Sequence, residues 1–166
     1  GDKNKLIAFH IKLSNLKFLD PACGCGNFLI ITYRELRLLE LEVLKLLIYK
    51  HTKITEGTEF SVSGMIRLDV DMMAGIEYEE FPARIAEVAM WLMDHQMNLK
   101  MSMEFGQYFA RLPLTKSANI VHADALETDW ETVVSKKELT HIIGNPPFIG
   151  SKIMTQTQRD QIVREF

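Results

Sequence analysis

Four short apolar runs, each closed by a Gly, Pro or acidic cluster and separated by longer helical patterns, constrain this chain more than any other feature. Such alternation is the pattern of an α/β domain built on a parallel sheet. The first run, residues 16–19, ends at Asp20-Pro21, and a helix rich in Leu, Glu, Arg and Lys is predicted over residues 27–49. The second run, residues 72–76, ends at Glu77. Pro82, suited to a first helical turn, then opens a helix whose apolar positions Ile85, Val88, Ala89, Leu92 and Met93 keep 3.6-residue spacing. The third run, residues 119–122, precedes Asp124, and the fourth, residues 140–143, precedes Gly144-Asn145-Pro146-Pro147-Phe148. Residues 51–63 read as a polar loop or insertion, 100–117 as a short helix and a loop turned at Pro113, and 154–166 as a polar helical tail. No internal repeat interrupts this order.

A chain of 166 residues can bury the core of one domain without disulfide or metal staples. Its 47% hydrophobic and 25% charged residues exclude an intrinsically disordered chain. The formal charge of -3 leaves no general excess of Lys and Arg to neutralise phosphates, so either a DNA-binding surface lies elsewhere or DNA is not the partner. Cys23 and Cys25 stand one residue apart, a spacing that rarely reaches disulfide geometry, and a reduced, cytoplasmic setting is expected. No four-ligand metal spacing occurs, and His10, His51, His95, His122 and His141 are scattered singly, as structural or surface residues are. The longest apolar stretch, residues 28–49, is broken by Arg34, Glu35, Arg37, Glu40, Glu42 and Lys45 and is no membrane span. The chain carries no signal-peptide pattern, and a start at Gly1 rather than Met suits an excised piece or a processed tag.

Open parallel sheets bind ligands outside the carboxyl ends of their strands, where strand order reverses. The first end carries Asp20-Pro21-Ala22-Cys23-Gly24-Cys25-Gly26-Asn27-Phe28, in which the glycines allow a tight turn and close backbone approach before a helix N-terminus. A dinucleotide fingerprint is disfavoured, because Leu29 occupies the position of its third glycine and Glu77 lies far beyond its acidic residue. Glu77 can accept bonds from both hydroxyls of a ribose, or be a solvated carboxylate beside Glu79 and Glu80. Asp69 and Asp71 are rivals that precede the run. Asp124 can accept from an exocyclic amino group such as that of adenine, or cap the turn that follows it.

The most informative element is Asn145-Pro146-Pro147-Phe148. Two prolines fix φ and remove donors, giving a rigid turn in which the Asn145 side-chain oxygen and the Pro146 carbonyl can point at one place. Two acceptors without an acid or base suit the gripping of both hydrogens of an amino group, so that its nitrogen lone pair can attack a methyl group in line. Phe148 offers a stacking face for a base, worth roughly 1 to 3 kcal/mol, which helps offset the few kcal/mol of extruding that base from a duplex. A plain proline turn is the alternative.

Taken in order, the nine residues from Asp20 to Phe28, then Gly75-Ile76-Glu77, Asp124 and Asn145-Pro146-Pro147-Phe148, resemble the gamma arrangement of amino-methylating DNA methyltransferases. Gly75-Ile76-Glu77 with Ala83-Arg84-Ile85-Ala86, Ala123-Asp124-Ala125-Leu126 before Asp129-Trp130, and Ile143 to Gly150 are most similar to MmeI-like type IIG restriction and modification enzymes. That resemblance implies a Rossmann-like class I S-adenosylmethionine-dependent methyltransferase fold, truncated after the fourth strand of a mainly parallel sheet. Residues 1–166 would form a partial methyltransferase domain with neither target-recognition nor nuclease domain. The activity implied is DNA adenine N6-methylation in a restriction–modification system, with the isolated piece inactive.

The resemblance also implies roles. Asp20, Gly24 and Gly26 would hold the methionine part of S-adenosylmethionine, flanked by Pro21, Ala22, Asn27 and Phe28. Glu77 would hold the ribose and Asp124, beside Ala125, the adenine amino group. Asn145 and Pro146, with Pro147, would grip the target amino group, and Phe148 would stack on the base. Cys25 departs from the serine more usual between those glycines, a weaker donor of similar size. Double-stranded DNA is the expected partner of the full-length protein, and the open edge of the fourth strand invites self-association. Two other readings remain: a protein glutamine N5-methyltransferase, which usually has Tyr where Phe148 stands, and a non-catalytic fragment that binds cofactor or partner subunits. Asn145 in place of Ser favours adenine over cytosine N4 as target.

Overall fold

The computed structural model describes residues 2–50, 62–106, 117–146, 154–156 and 159–160. Its elements run α1 (Asp2–Ser14), β1 (Phe18–Asp20), α2 (Asn27–Lys45), β2 (Met73–Glu77), α3 (Glu80–Phe105), β3 (Asn119–His122) and β4 (His141–Ile142). The strands form one four-stranded sheet in the order β3-β2-β1-β4, and every pairing is parallel. The chain therefore steps one way from β1 to β3, then crosses to the other side of β1. The β1/β4 boundary is the switch point.

Side chains alternate across the sheet with the period of 2 that strands impose. Phe18, Met73 and Ile120 join the core beneath the helices, with Leu13, Leu29, Tyr33, Ala83, Ala86 and Met90. Leu19, Ala74 and Ile76 face the opposite side, covered by Val133, Trp130 and Leu139 from the segment between β3 and β4. A third cluster, Leu41, Leu44, Ile48, Val62 and Met101, packs the far ends of α2 and α3. Full burial of such side chains contributes about 1.5 to 3 kcal/mol each.

Several sequence expectations shift. The helix predicted over residues 27–49 is α-helical to Lys45 and then winds as a π-helical turn, Leu46–Lys50. Residues 100–105, expected in a separate short helix, belong to α3, because Met101 is needed in the third cluster; Gly106, at φ +63°, ends the helix. The apolar row Ile85, Val88 and Leu92 lies on the outer side of α3, and its buried face is Ala83, Ala86, Met90, Asp94, Met97, Asn98 and Met101. Ala86 is kept small by close approach: a Cβ on Gly26 would stand 3.1 Å from its own. The loop at 51–61, Pro113, and most of the tail from 154 onward lie outside the described residues.

The polar part of that buried face belongs to an ionic network the sequence did not announce. Arg37, fully buried, donates from Nη1 to Asp94 Oδ1 (2.9 Å) and Tyr33 Oη (2.8 Å), and from Nη2 to Asn98 Oδ1 (2.8 Å). Its Nε lies 3.4 Å from Glu40 Oε2. Glu40 Oε1 in turn accepts from the backbone N–H groups of Arg67 (2.7 Å) and Leu68 (3.1 Å) and meets His10 Nε2 at 2.8 Å. One carboxylate thus fastens α1, α2 and the approach to β2.

Candidate functional site

Because all strands are parallel, the carboxyl ends of β1, β2, β3 and β4 lie along one rim, in the order Asp124, Glu77, Asp20, Asn145. The glycine turn rises from the middle of this rim. Cys23 N–H donates to the Ile76 carbonyl (3.0 Å), extending the β1–β2 ladder past its end, and Gly26 N–H closes the turn on the Cys23 carbonyl (2.8 Å). Gly26, at φ +82°, caps α2 and admits Ala86 beneath it, a backbone conformation and a closeness that a side chain would prevent. Gly75 in β2 is equally constrained: a Cβ there would stand 2.8 Å from Cys23 Sγ. The sequence showed Gly75 and Cys23 as motif letters, not as the contact that seats the turn on the sheet.

Glu77 reaches the turn directly. Its Oε2 accepts from Gly24 N–H at 2.8 Å and its Oε1 from Glu79 N–H at 2.9 Å. A carboxylate has about four acceptor positions, so each oxygen keeps capacity for a hydroxyl. Asp20 is buried at the end of β1, with Oδ1 accepting from Ala22 N–H (3.1 Å) and Oδ2 buried without a hydrogen-bond partner. Its pKa is raised by burial and by the nearby charge of Glu77, against the lowering effect of the Ala22 bond. An orphaned buried acceptor beside a second carboxylate is a place for a cation. Burial and then the charges of Asp20 and Glu77 push the Cys23 thiol up to about 12, which favours its protonated form.

The fourth strand brings its turn against the same carboxylate. Ile143 N–H donates to the Leu19 carbonyl (2.9 Å), and Gly144 follows at φ +149° with its backbone packed on Asp20. Asn145 and Pro146 are exposed immediately beyond, while Pro147 and Phe148 lie outside the described residues. Phe28, in the first turn of α2, is half exposed. At the β3 end Ala123 N–H donates to the Glu77 carbonyl (2.9 Å), and Asp124 Oδ1 accepts from Leu126 N–H (2.9 Å). The capping alternative for Asp124 is therefore realised, with its other oxygen left for a ligand. Ala125 lends its carbonyl to Trp130 Nε1 at 2.8 Å, fixing this loop.

The donor set fits S-adenosylmethionine. Asp20 Oδ2 suits an ammonium group, the oxygens of Glu77 suit vicinal hydroxyls, and the backbone over Gly24 is open, with no atom within 4 Å of a Cβ built there. Among the described residues no group of His, Cys, Asp or Glu is arranged to hold a metal ion, and no helix is long and apolar enough to cross a membrane.

Comparison with known proteins points the same way. The family described as the MmeI DNA-methyltransferase domain matches residues 1–166. The chain is 33% identical over 168 residues to DNA methyltransferase A of Bacillus subtilis (strain 168), an alignment covering 99% of this chain and 18% of the relative. It is also similar, at 52% identity and a TM-score of 0.86, to a solved structure of the Type IIL restriction-modification enzyme MmeI in complex with DNA. That match covers 98% of this chain and 21% of the MmeI chain, so the chain spans about a fifth of the relatives it matches.

Proposed function

The chain belongs to the MmeI DNA-methyltransferase domain family, and from that premise we propose that residues 1–166 are the cofactor-binding and base-gripping part of a DNA adenine N6-methyltransferase in a restriction–modification system. The observation that carries the reading is the meeting of three elements along one rim of the sheet: the glycine turn after β1, the Glu77 carboxylate bonded to it, and Gly144, next to Asn145, packed on Asp20.

In this reading Asp20 takes the ammonium group of S-adenosylmethionine, Glu77 its ribose, and Asp124 its adenine amino group. When bound, the cofactor supplies an electrophilic methyl group on a sulfonium. Asn145 Oδ1 and the Pro146 carbonyl accept the two hydrogens of the target amino group, which directs the nitrogen lone pair out of the base plane. Neither residue is a base that keeps a proton, so the one that the methylated nitrogen must lose would pass to water, and the contribution of the two is positioning and electrostatic. Phe148 stacks on the extruded base and helps offset the loss of its duplex neighbours. Double-stranded DNA is the substrate of the whole protein, and residues 1–166, at a net charge of -3, carry no general excess of Lys and Arg to neutralise its phosphates.

The test is transfer of a labelled methyl group from S-adenosylmethionine to double-stranded DNA by the full-length protein, with Asn145→Ala alongside. Product carrying N6-methyladenine, lost in the variant, is expected. Methylation of a protein glutamine instead, or of DNA at cytosine N4, would replace this reading.

A further inference from the structure

Gly144 joins β4 to the Asn145-Pro146 turn and rests on the carboxylate of Asp20, 124 positions earlier in the sequence. A Cβ at Gly144 would stand 2.5 Å from Asp20 Oδ1 and 3.0 Å from its Cγ. Those distances are far below van der Waals contact, and the partner is not the free end of a flexible chain. Asp20 Oδ1 is held by Ala22 N–H at 3.1 Å, and the residue is buried at the end of β1. On the other side the chain is pinned one residue before Gly144, where Ile143 N–H donates to the Leu19 carbonyl at 2.9 Å. The carboxylate is therefore wedged between its own turn and the backbone that leads to Asn145. Neither can shift alone.

We propose that Gly144 is a positioning residue that couples the cofactor carboxylate to the base-gripping turn. The partner taken up by Asp20 Oδ2, which is buried and unpaired without ligand, fixes the carboxylate plane, and through Gly144 that plane fixes where Asn145 and Pro146 start. Coupling of binding free energies is reciprocal, so a base held by the turn tightens the grip on the cofactor in equal measure. The inference rests on the cofactor reading of Asp20 given above. Its requirement is a glycine specifically, since the nearness of Asp20 excludes a side chain and the backbone at φ +149° strains one.

Two measurements on the full-length protein test it. Calorimetric titration with S-adenosylmethionine compares the wild type with Gly144→Ala and with Gly106→Ala, the latter carrying positive-φ strain (φ +63°) with no atom within 4 Å of the added methyl group. The expected result is at least a tenfold weaker affinity for Gly144→Ala and a change within twofold for Gly106→Ala. Thermal unfolding then compares Gly144→Ala, Asp20→Ala and the double variant. Once the carboxylate is gone, the melting loss caused by Gly144→Ala should shrink to the positive-φ strain alone, which Gly106→Ala gauges. Affinity of Gly144→Ala within twofold of wild type, or melting losses that simply add, overturns the proposal. Should Gly144→Ala fail to fold, the double variant must fold, and its failure also overturns the proposal. If the wild type takes up no S-adenosylmethionine, the cofactor reading has failed instead, and additivity of the melting losses still decides whether the two segments are coupled.

Discussion

The Oε2 atom of Glu77 accepts a 2.8 Å hydrogen bond from the backbone N–H of Gly24, joining the end of β2 to the glycine turn that follows β1. Without ligand, this carboxylate is thus a support for the turn as well as a candidate ribose acceptor. The two roles would use different lone pairs. Glu77→Ala removes both and frees two backbone donors at the partly solvated rim, where water replaces the lost acceptor. We expect S-adenosylmethionine affinity to fall at least tenfold, since bonds to a charged acceptor are worth roughly 1.5 to 3 kcal/mol each. Melting temperature should move by only a few degrees, about 1 kcal/mol. Glu77→Gln keeps one acceptor and should lie between. Calorimetry on the three proteins checks the order, and equal heats would remove the cofactor assignment.

Asp20 gives a pH dependence whose sign follows from burial. Desolvation, the largest effect, and the charge of Glu77 raise its pKa above the ordinary 3.8, while the Ala22 bond opposes them. Between 3.8 and the raised value the folded chain holds a proton that the unfolded chain has released. Stability therefore declines as pH rises through that window and stays lowered above it. Asp20→Asn, which keeps an acceptor for Ala22 and carries no charge, should melt higher than wild type at pH 7, with the advantage shrinking as pH falls toward 4. Its affinity for S-adenosylmethionine should be lower, the usual exchange of function for stability. Melting curves at several pH values test this, and a stability gap that widens on acidification would sink it.

How much of this was legible in the sequence depends on whether a signal was local. β3 spans the expected residues 119–122, and the other three strands fall within two residues of expectation at each end, because each run stops at a Gly, Pro or acidic residue that also makes the rim. The rim itself was legible for the same reason: parallel strands bring those stops together. Helix α1 was not read, because its buried residues are only His10 and Leu13, and His10 meets Glu40, thirty residues away. Arg37 and Glu40 looked like interruptions of an apolar helix and are instead its most buried polar groups. Likewise the outward apolar row of α3 outweighed, as a pattern, the Ala, Met, Asp and Asn face that is buried. Pairing across distant segments leaves no periodicity to find.

Gly75 offers a test of the turn's seating that does not involve ligand. An added methyl group would meet Cys23 Sγ at 2.8 Å, Cys23 Cβ at 3.1 Å and Ile120 Cδ1 at 3.1 Å. Overpacking of this kind costs about 1 to 3 kcal/mol. Chemical denaturation of Gly75→Ala should show that loss, and Cys23→Ala in the same chain should recover part of it by removing the nearest atom. Additive losses in the double variant would mean that the two residues do not share the space.

The Arg37 network predicts an asymmetric mutational response. Asp94→Ala leaves the guanidinium buried with one of its two carboxylate partners gone, and removal of one partner from a buried pair costs about 3 to 5 kcal/mol. That is a large part of the whole stability of a domain. Arg37→Met with Asp94→Leu and Glu40→Gln removes the guanidinium and both of its carboxylate partners together, keeps an acceptor for the Arg67 and Leu68 N–H groups, and should cost less than Asp94→Ala alone. Urea denaturation of both proteins decides it, and a triple variant less stable than the single one would show that the network's net contribution is favourable.

Strand β4 predicts how copies of this chain behave at high concentration. It bonds to β1 on one side only among the described residues, and its two side chains, His141 and Ile142, are exposed, Ile142 by 58%. β3 is also paired on one side among the described residues, but its Ile120 is buried and its Val121 partly so, leaving β4 the edge with the more exposed apolar side chain. Unpaired N–H and C=O groups beside an exposed apolar side chain are a template for another strand, and natural edges are blunted by charges, Lys above all. Residues 1–166 should therefore self-associate as concentration rises, and Ile142→Lys should shift them toward monomer without lowering the melting temperature, because the side chain it replaces packs on little. Light scattering over a concentration series measures both, and a wild-type chain that remains monomeric at high concentration would mean that this edge does not template association.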